Sequence, residues 1–434
     1  MSASSAQPSR GGAPALHLYG WRHPSVLAAA VFSAYAGFVQ FAATAALPDI
    51  AAAFGVAGDG AGDIAAEVGL SGTTLGIALG IIRMASVGSL PLARQADSHG
   101  RRRVMLITSL AALGLTAVAA GIPSFWLFVA VLAVARPLAS ATNAVAGVIA
   151  AEEVPTSDRS KALAVITLGY GVGAGLPVVL RAVTDLVGDV IGFRVLFALA
   201  GLFLATLPLV ARLVREPDRA ARLVDAEAET AKRLGHVPAA LRGRLLLVAT
   251  LTFFVAFLTG PINTYLFLYA ESVTGLSPSI QGVVAPVAAG MGALGLLLGV
   301  RLADRYGRIP TAMWSKVALA AAGILTYSAG QVGAVAGYVL TLLIGSSYAP
   351  AVAATASEIF PTSIRATAAG WITVAGTVGA VLGLLIFGVV ADAAGSFTTA
   401  AWVVCVPAAI STIGYRYLPE TKHLELEQSA PEIG

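Results

Sequence analysis

The chain has 434 residues, of which 57% are hydrophobic and only 12% are charged, with a formal net charge of +4. Soluble domains carry about 25% charged residues, whereas apolar runs of about 20 residues, each long enough to cross a ~30 Å hydrocarbon core, recur throughout this chain. The composition therefore excludes an ordinary soluble protein and predicts a polytopic membrane protein. The single cysteine, Cys405, excludes a disulfide framework or a thiolate metal site. The five histidines lie outside the apolar runs, so we expect no metal and no other cofactor.

Twelve apolar runs follow an N-terminal segment, 1–23, whose Ser, Ala, Gly and Pro content predicts a disordered tail. Irregular backbone cannot face lipid, so each run predicts a helix. The predicted spans are 24–46, 70–92, 103–122, 125–149, 162–183, 192–213, 245–270, 278–299, 310–329, 334–356, 366–390 and 398–418. A charged linker, 215–244, separates one bundle of six spans (24–214) from a second (245–418), and a short tail, 419–434, follows. We predict an all-α membrane protein of two six-helix bundles.

The distribution of positive charge predicts the orientation of these spans. If both termini are cytoplasmic, 23 of the 27 Lys and Arg residues fall on the cytoplasmic side, with Arg181 and Arg194 in an outer loop and Arg83 and Arg136 within spans. The opposite orientation would reverse the positive-inside rule. We therefore predict a multi-pass protein of the plasma or inner membrane with cytoplasmic termini. The basic net charge is explained by topology, so we expect no nucleic-acid partner.

Two sequence motifs repeat at nearly the same long spacing, 207 and 206 residues (304 − 97 and 358 − 152). The first is a short basic loop between apolar runs, and its matching pairs are Asp97 with Asp304, Gly100 with Gly307, and Arg101 with Arg308. The second follows the fourth and tenth predicted spans, and its pairs are Glu152 with Glu358 and Arg159 with Arg365. A shared period of about half the chain indicates a tandem duplication, which in apolar sequences is typical of transporters. The two bundles are therefore predicted to be pseudo-symmetric.

The repeated loop resembles the signature of the major facilitator superfamily, Gly-x-x-x-Asp-Arg/Lys-x-Gly-Arg/Lys-Arg/Lys, which follows the second and eighth spans of that family. The matching residues are Asp97, Gly100, Arg101 and Arg102 in the first copy and Asp304, Arg305, Gly307 and Arg308 in the second. Ala93, Ser98, Val300 and Ile309 depart from the pattern. The resemblance covers essentially the whole chain. It implies secondary transport of a small solute by alternating access, with no enzymatic activity.

The resemblance also implies a network of charges that closes the cytoplasmic side of the transporter. A carboxylate beside a helix N-terminus and fixed arginines stabilises one closed arrangement. The residues of this predicted cytoplasmic gate are Asp97, Gly100, Arg101, Arg102, Glu152, Arg159, Asp304, Arg305, Gly307, Arg308, Glu358 and Arg365.

Shorter motifs leave two transport classes open. Pro419-Glu420-Thr421-Lys422 and Glu358-Ile359-Phe360-Pro361 resemble sugar porters and neighbouring metabolite symporters. Gly169 and Gly173 match half of the fifth-span motif of drug/proton antiporters, and the same spacing also favours close helix packing. Secondary transport of a small organic solute, in a direction that the sequence leaves open, is our first interpretation, and efflux of amphipathic compounds by an antiporter is the alternative.

Two arginines lie deep within the predicted membrane. Arg83 lies roughly 21 Å and Arg136 roughly 24 Å above the cytoplasmic loops, at ~1.5 Å per residue. A charge at this depth is costly unless it faces a wet cavity or a partner, and it marks a functional site by default. No Asp or Glu lies at a comparable depth in any predicted span. We therefore hypothesise an anionic solute. The alternative, that the arginines bond backbone carbonyls and nearby hydroxyls, remains open.

Other polar residues of the spans complete the predicted site. Ser140 and Asn143 share one helical stripe with Arg136. The predicted substrate-binding residues are Arg83, Arg136, Tyr35, Gln40, Asn143, Asn263, Tyr265, Tyr348 and Trp371, although core packing would also explain the aromatic and amide residues. Asp49, Asp185 and Glu271, near the outer ends of spans, are candidates for proton coupling. Solute exchange and facilitated diffusion remain open, and we predict a monomer in the lipid bilayer.

Overall fold

The computed structural model describes residues 20–55, 68–155, 158–184, 192–216, 238–361 and 364–422. The side chains at positions 97, 184, 357 and 366 lie outside this description. Most of the predicted N-terminal tail, the linker and the C-terminal tail also lie outside the described residues, as do positions 156–157 and 362–363 of the second repeated motif. The proposed division into tails, bundles and linker therefore stays a prediction at those boundaries.

Twelve helical segments in the described part of the chain are long and apolar enough to cross a membrane, which confirms the predicted fold class. In chain order, spans 1 to 12 are Pro24–Ala45, Gly72–Ala96, Arg101–Ala119, Phe125–Glu152, Arg159–Val183, Gly192–Ala211, Ala239–Val273, Pro278–Tyr306, Arg308–Ser328, Gly330–Ala356, Thr367–Ala394 and Phe397–Tyr417. A short helix, Leu47–Phe54, follows span 1. We call the membrane face that carries the loops at Gly100 and Gly307 the basic face, and the other the opposite face.

Several helices continue beyond a span or break within it. The helix of span 5 runs over Arg159–Thr184, that of span 10 over Gly330–Glu358, and that of span 11 over Arg365–Ala394. Span 6 consists of Gly192–Ala198 and Ala200–Ala211, and span 12 of Phe397–Ile410 and a 3₁₀ segment, Ser411–Tyr417. Span 7 consists of Ala239–Thr264, Leu266–Leu268 and a π-helical turn, Tyr269–Val273.

Span 2 is broken near its middle. Helices Gly72–Ala85 and Ser89–His99 are joined by a 3₁₀ turn, Ser86–Gly88. Pro91 explains the break, because proline has no N–H to donate to the carbonyl four residues earlier and its ring crowds that carbonyl. A 3₁₀ turn inside a long helix often marks a hinge.

Glycine and serine set the ends of several spans. Gly100, with φ of 91°, and Gly307, with φ of 105°, separate spans 2 from 3 and 8 from 9 in a backbone conformation that favours glycine. On the opposite face, the hydroxyls of Ser71, Ser277 and Ser396 accept hydrogen bonds from the first turns of spans 2, 8 and 12.

Equivalent helices in the two halves pack in the same way. A Cβ added at Gly169 or Gly173 of span 5 would meet the backbone of span 1, and one added at Gly379 or Gly383 of span 11 would meet the backbone of span 7. Each pair is separated by 210 residues (379 − 169 and 383 − 173). The predicted close packing at Gly169 and Gly173 is therefore confirmed, and it recurs at the symmetric position as the duplication requires.

The two halves contact each other along two helix pairs, span 2 with span 11 and span 5 with span 8. The first contact is close because both helices present small residues: a Cβ at Gly72 would lie 2.7 Å from the Gly388 carbonyl oxygen, and one at Gly76 would lie 2.8 Å from that of Leu384. One apolar cluster packs the first six spans. A second cluster belongs mainly to the last six spans and includes Leu75 and Leu79 of span 2. The halves therefore share an apolar contact towards the opposite face.

Candidate functional site

A cavity of about 270 Å³ lies between the two halves, at mid-depth. Arg83 marks its level, 11 residues from Gly72 at one end of span 2 and 17 from Gly100 at the other (83 − 72 and 100 − 83). The lining residues of the first half are Gln40, Arg83, Ser86, Val87, Ser89, Leu90, Arg136, Ser140 and Tyr170, and those of the second half are Thr373, Val374 and Thr377. The irregular turn of span 2 therefore forms part of the cavity wall.

Arg136 is held in place by neighbouring helices. Its Nε donates a hydrogen bond to Ser86 Oγ at 3.1 Å, and its Nη1 donates to the carbonyl oxygen of Gln40 at 2.9 Å. The hydroxyl of Tyr170 donates to Gln40 Oε1 at 3.2 Å and so orients this amide, whose N–H groups have no acceptor among the described residues. A guanidinium has five N–H groups, so Arg136 keeps donors for a further partner.

Arg83 differs from Arg136 in its contacts. Its side chain is exposed to the cavity and forms no hydrogen bond or ion pair with any described residue. The positive charges of Arg83 and Arg136 repel each other. No described acidic residue lines the cavity. Two positively charged side chains thus face one cavity, and no described acidic residue neutralises them there. An anion bound in the cavity would supply the missing negative charge.

The structure brings together three of the nine predicted substrate-binding residues, Arg83, Arg136 and Gln40, and adds Ser140 of the predicted stripe. Five others bond or pack elsewhere: Tyr35 with Thr206 and Phe203, Asn143 with Ser33, Asn263 with the Thr259 carbonyl, Tyr265 with the Gly72 carbonyl, and Tyr348 with Tyr415. Trp371 is 58% exposed and is not part of the lining. A binding role for these six residues stays a prediction that this conformation does not display.

Sequence reasoning missed several cavity residues, namely Ser86, Tyr170, Thr373 and Thr377. Tyr170 had a usable signal, because a tyrosine at the middle of an apolar span needs a hydrogen-bond partner. The two threonines had none. Serine and threonine are common in membrane helices because their hydroxyls can bond the carbonyl four residues earlier.

On the basic face, some of the predicted gate residues form two symmetric clusters, one in each half, whereas the Asp97 side chain lies outside the described residues. Arg101 pairs with Glu152, and Arg308 pairs with Glu358, with Arg308 Nε 2.7 Å from Glu358 Oε2. Other predicted members bond the backbone: Arg102 donates to the Ala211 carbonyl, Arg159 to that of Ala151, and Arg365 to that of Phe360. The guanidinium of Arg305 lies over the Tyr306 ring. Asp304 is exposed and makes no hydrogen bond or ion pair with a described residue.

Two glutamates complete these clusters at the positive starts of spans 3 and 9. The carboxylate of Glu216 accepts the backbone N–H groups of Arg101 at 2.6 Å and Arg102 at 2.9 Å. That of Glu420 accepts those of Arg308 and Ile309, both at 3.0 Å. Unpaired N–H groups and the helix dipole favour a carboxylate there. Glu216 was not predicted, although it precedes Glu420 by 204 residues (420 − 216), close to the period of the other motifs.

On the opposite face, charged contacts join the two halves. Arg181 of span 5 is 3% exposed and forms a bidentate pair with Asp49, with Nε–Oδ2 at 2.6 Å and Nη2–Oδ1 at 2.7 Å. Its Nη1 lies 2.6 Å from Oε2 of Glu271, on the π-helical turn of span 7. The structure thus places Arg181 in a charged cluster that connects the two halves. The sequence analysis had assigned it only to an outer loop. Asp185 lies outside the described residues.

A second contact across the opposite face involves Asp392 of span 11, which the sequence analysis did not select. Its Oδ1 accepts the backbone N–H of Gly72 at 2.7 Å. Its Oδ2 accepts the backbone N–H of Thr73 at 2.8 Å and the Thr73 hydroxyl at 2.6 Å. A carboxylate of the second half therefore caps span 2 of the first half. An acidic residue at the end of an apolar run was the available signal.

One of the cations counted on the cytoplasmic side was assigned wrongly. Lys316 lies inside span 9 and is fully buried. Its Nζ donates to the Leu251 carbonyl at 3.0 Å and to Ser411 Oγ at 2.7 Å. These partners replace hydration, which is how the helix tolerates the charge.

The family model of the major facilitator superfamily matches residues 25–346 and 274–432. Among solved structures, the D-xylose–proton symporter is similar with a TM-score of 0.74 and 16% identity, over 92% of this chain and 98% of that one. A bacterial homologue of the human lysosomal transporter Spinster, inward-facing and occupied, has a TM-score of 0.71 and 16% identity, over 94% and 97%. A point mutant of the nucleoside transporter NupG has a TM-score of 0.68 and 13% identity, over 90% and 99%.

No curated protein sequence matches the chain. At identities of 13–16% the solved structures show the fold alone. The family model carries the assignment, because its matches span nearly the whole sequence. The twelve spans, the repeated loops and this match agree, and the chain belongs to the major facilitator superfamily of membrane transporters.

Proposed function

We propose that this protein is a secondary transporter that carries a small organic anion, with a carboxylate as the preferred charged group, by alternating access. The observation that supports this most strongly is the guanidinium of Arg83, which has no hydrogen bond or ion pair with a described residue. It faces a mid-depth cavity that holds a second arginine and no described acidic residue. A guanidinium binds a carboxylate through two parallel hydrogen bonds. The substrate would supply the counter-charge that the described cavity lacks.

The alternating-access part of the proposal follows from how the two halves meet. Arg181–Glu271 and Asp392–Thr73 join the halves on the opposite face, and these contacts hold the halves together on that side of the cavity. The positive-inside rule favours the basic face as the cytoplasmic one. The halves are then held together on the outer side, and a transport cycle must separate these contacts.

The cavity disfavours the two neighbouring substrate classes. A neutral sugar, by analogy with the D-xylose–proton symporter, would leave the Arg83 charge uncompensated. An efflux pump for amphipathic cations would be expected to have a large aromatic cavity, whereas this one has a single aromatic lining residue, Tyr170, among the described residues. Two positive charges would also repel a cationic drug.

The test of the anion site is thermal stability of the purified protein against organic anions, neutral sugars, amino acids and cationic drugs. A ligand at 100 times its Kd stabilises the folded state by about 2.7 kcal/mol. We expect anions to raise the Tm of the wild type, Arg83→Lys to keep part of the shift, and Arg83→Gln to lose it. Arg416→Gln, which removes an exposed arginine far from the cavity in sequence, is the matched control. An equal anion shift in Arg83→Gln would contradict the proposal.

We propose that a proton gradient drives uptake of the anion, by analogy with the similar structure that is named as a D-xylose–proton symporter. The candidate carboxylates Asp49 and Glu271 both pair with Arg181 on the opposite face, Asp49 within the first half and Glu271 from the second half. The test is uptake of the anion identified above into proteoliposomes with an imposed inward proton gradient. Accumulation above the external concentration is expected. Uptake that stops at equal concentrations would indicate facilitated diffusion or exchange.

A further inference from the structure

The two walls of the cavity differ in the hydrogen-bonding groups that they offer to a solute. The wall of the first half carries the strong donors: Arg83 makes no hydrogen bond or ion pair with a described residue, Arg136 keeps further N–H groups, and the amide N–H groups of Gln40 have no described acceptor. The hydroxyls on this wall can both donate and accept. The second half contributes Thr373, Val374 and Thr377, which lie on one face of span 11.

The two threonines face the cavity as acceptors. The hydroxyl of Thr373 donates to the Ala369 carbonyl at 2.8 Å, and that of Thr377 donates to the Thr373 carbonyl at 3.0 Å. A hydroxyl has one proton and two lone pairs. With the proton committed to the helix backbone, each Oγ1 offers only lone pairs to a solute. The wall of the second half therefore recognises a hydrogen-bond donor.

The charge of the cavity narrows the choice of donor. An ammonium group is a strong donor, but the cavity holds two positive charges and no described carboxylate, so like-charge repulsion disfavours it. A neutral hydroxyl satisfies the same acceptors without that cost. We propose, on the basis of the anion transport proposed above, that the substrate is a hydroxylated carboxylate. Its carboxylate binds Arg83 and Arg136, and its hydroxyl groups donate to Thr373 and Thr377.

Such a solute would also connect the two halves. The carboxylate is bound by spans 2 and 4, whereas the hydroxyl groups bond span 11. A carboxylate without hydroxyl groups would occupy the arginines but leave the second half without a polar contact. The threonine pair thus determines specificity, and the arginine pair supplies the charge recognition common to all carboxylates.

The experiment measures Kd values of the full-length protein for matched probes: gluconate against hexanoate, glycerate against propionate, and glucose and alanine as the neutral and zwitterionic comparisons. In the wild type we expect the hydroxylated member of at least one pair to bind at least tenfold more tightly. Thr373→Val/Thr377→Val preserves side-chain shape and removes both acceptors. It should abolish this preference and leave the Kd of the deoxy member unchanged within about twofold.

Two control variants separate this proposal from the anion site itself. Thr250→Val removes a hydroxyl that makes the same backbone hydrogen bond on span 7 but is not part of the cavity lining, and it should keep the preference. Arg83→Gln should weaken both members of each pair. Equal binding of hydroxylated and deoxy carboxylates by the wild type, or an unchanged preference in the double variant, would overturn the threonine assignment while leaving the anion site standing. Binding of glucose but of no carboxylate would overturn both.

Discussion

The charged contacts on the basic face lie within one half of the protein, whereas some of those on the opposite face connect the two halves. On the basic face, Arg101–Glu152 and Arg308–Glu358 each stay within one half of the protein. On the opposite face, Arg181–Glu271 and the contact of Asp392 with Thr73 cross from one half to the other. The first kind of contact makes each half rigid, and the second kind sets how the halves are arranged.

This difference gives the charged residues separable roles. A contact within a half is preserved when the halves rock as rigid bodies, so its loss should lower the Tm without a large change in the conformational equilibrium. A contact across the halves exists in one state alone, so its loss should shift the population between states. Melting temperature and inter-half distance are therefore two readouts that should respond to different residues.

The largest expected effect is on the conformational equilibrium, in Arg181→Gln. This change removes the contact to Glu271 and leaves two carboxylates, Asp49 and Glu271, without their shared cation. Loss of one partner of a largely buried ion pair costs a few kcal/mol, so we expect the population open on the opposite face to rise at least tenfold. The measurement is the distance between spin labels at Ala53 and Val332, both exposed and in different halves.

Arg181→Lys is the matched variant for this prediction. It keeps the charge but cannot form the bidentate contact that guanidinium makes with Asp49, so an intermediate shift is expected. The native Cys405 is buried and should not take up label. Identical distance distributions in wild type and Arg181→Gln would show that the closure does not depend on this residue.

The second effect is on stability, at the two glycines of the basic face. A Cβ at Gly307 would lie 2.6 Å from Glu420 Oε2, whereas one at Gly100 would lie 3.3 Å from Glu216 Oε2. Both glycines also have positive φ, which costs other residues roughly 1–3 kcal/mol. We expect both alanine variants to melt at lower temperature, with Gly307→Ala affected more.

The control for the glycine pair is Gly171→Ala on span 5, where an added Cβ would meet no atom within 4 Å. Alanine is favoured over glycine inside a helix, so this variant should melt at or above the wild-type temperature. The spin-label distances should remain at wild-type values in all three variants. A shift of the distances in Gly100→Ala or Gly307→Ala would mean that the basic-face clusters also set the arrangement of the halves.

The spans were predictable because the bilayer restricts the possibilities. A run of apolar residues in lipid must be a helix, so length and composition sufficed for twelve spans. The depth of a residue in the membrane is equally predictable, because it follows from the rise per residue of a helix. Arg83 and Arg136 were predicted to lie at similar depth, and in the structure both line one cavity. The break in span 2 was harder to predict, because a proline in a membrane helix does not always interrupt it. Pro91 was nevertheless its visible sign.

The direction in which a residue faces was not predictable in the same way. Tyr265 and Tyr348 were predicted to bind the substrate, yet both are buried among aromatic or hydroxyl partners. In a helix that is apolar on all sides, the sequence carries little information on which side meets the cavity. Thr373 and Thr377 were missed for the complementary reason, since a membrane threonine is normally satisfied by its own helix. Three-dimensional packing was needed to assign both sets.

The third effect tests whether the two carboxylates that contact Arg181 shift the conformational equilibrium in opposite directions. Glu271→Gln removes a charge-assisted bond across the halves, worth about 1.5–3 kcal/mol, and should raise the open population by about tenfold. Asp49→Asn removes the competing partner within the same half, which leaves the Arg181 charge to Glu271 alone. It should therefore lower the open population. The same spin-label pair measures both variants, and a shift in the same direction would contradict the assignment of the two carboxylates to different halves.

The smallest expected effect on stability is at Asp304, which is exposed and has no partner among the described residues in this conformation. Asp304→Asn should therefore change the free energy of unfolding by no more than about 0.5 kcal/mol, as surface substitutions typically do, and leave the Tm close to that of the wild type. Glu358→Gln, its comparison on the same face, loses the contact with Arg308 and should melt lower. The family signature predicts a role for Asp304 in the alternate, basic-face-closed state, so Asp304→Asn should still slow transport. Normal stability with slow transport would assign Asp304 to the closing of the basic face, whereas normal values of both would leave it with no role beyond topology.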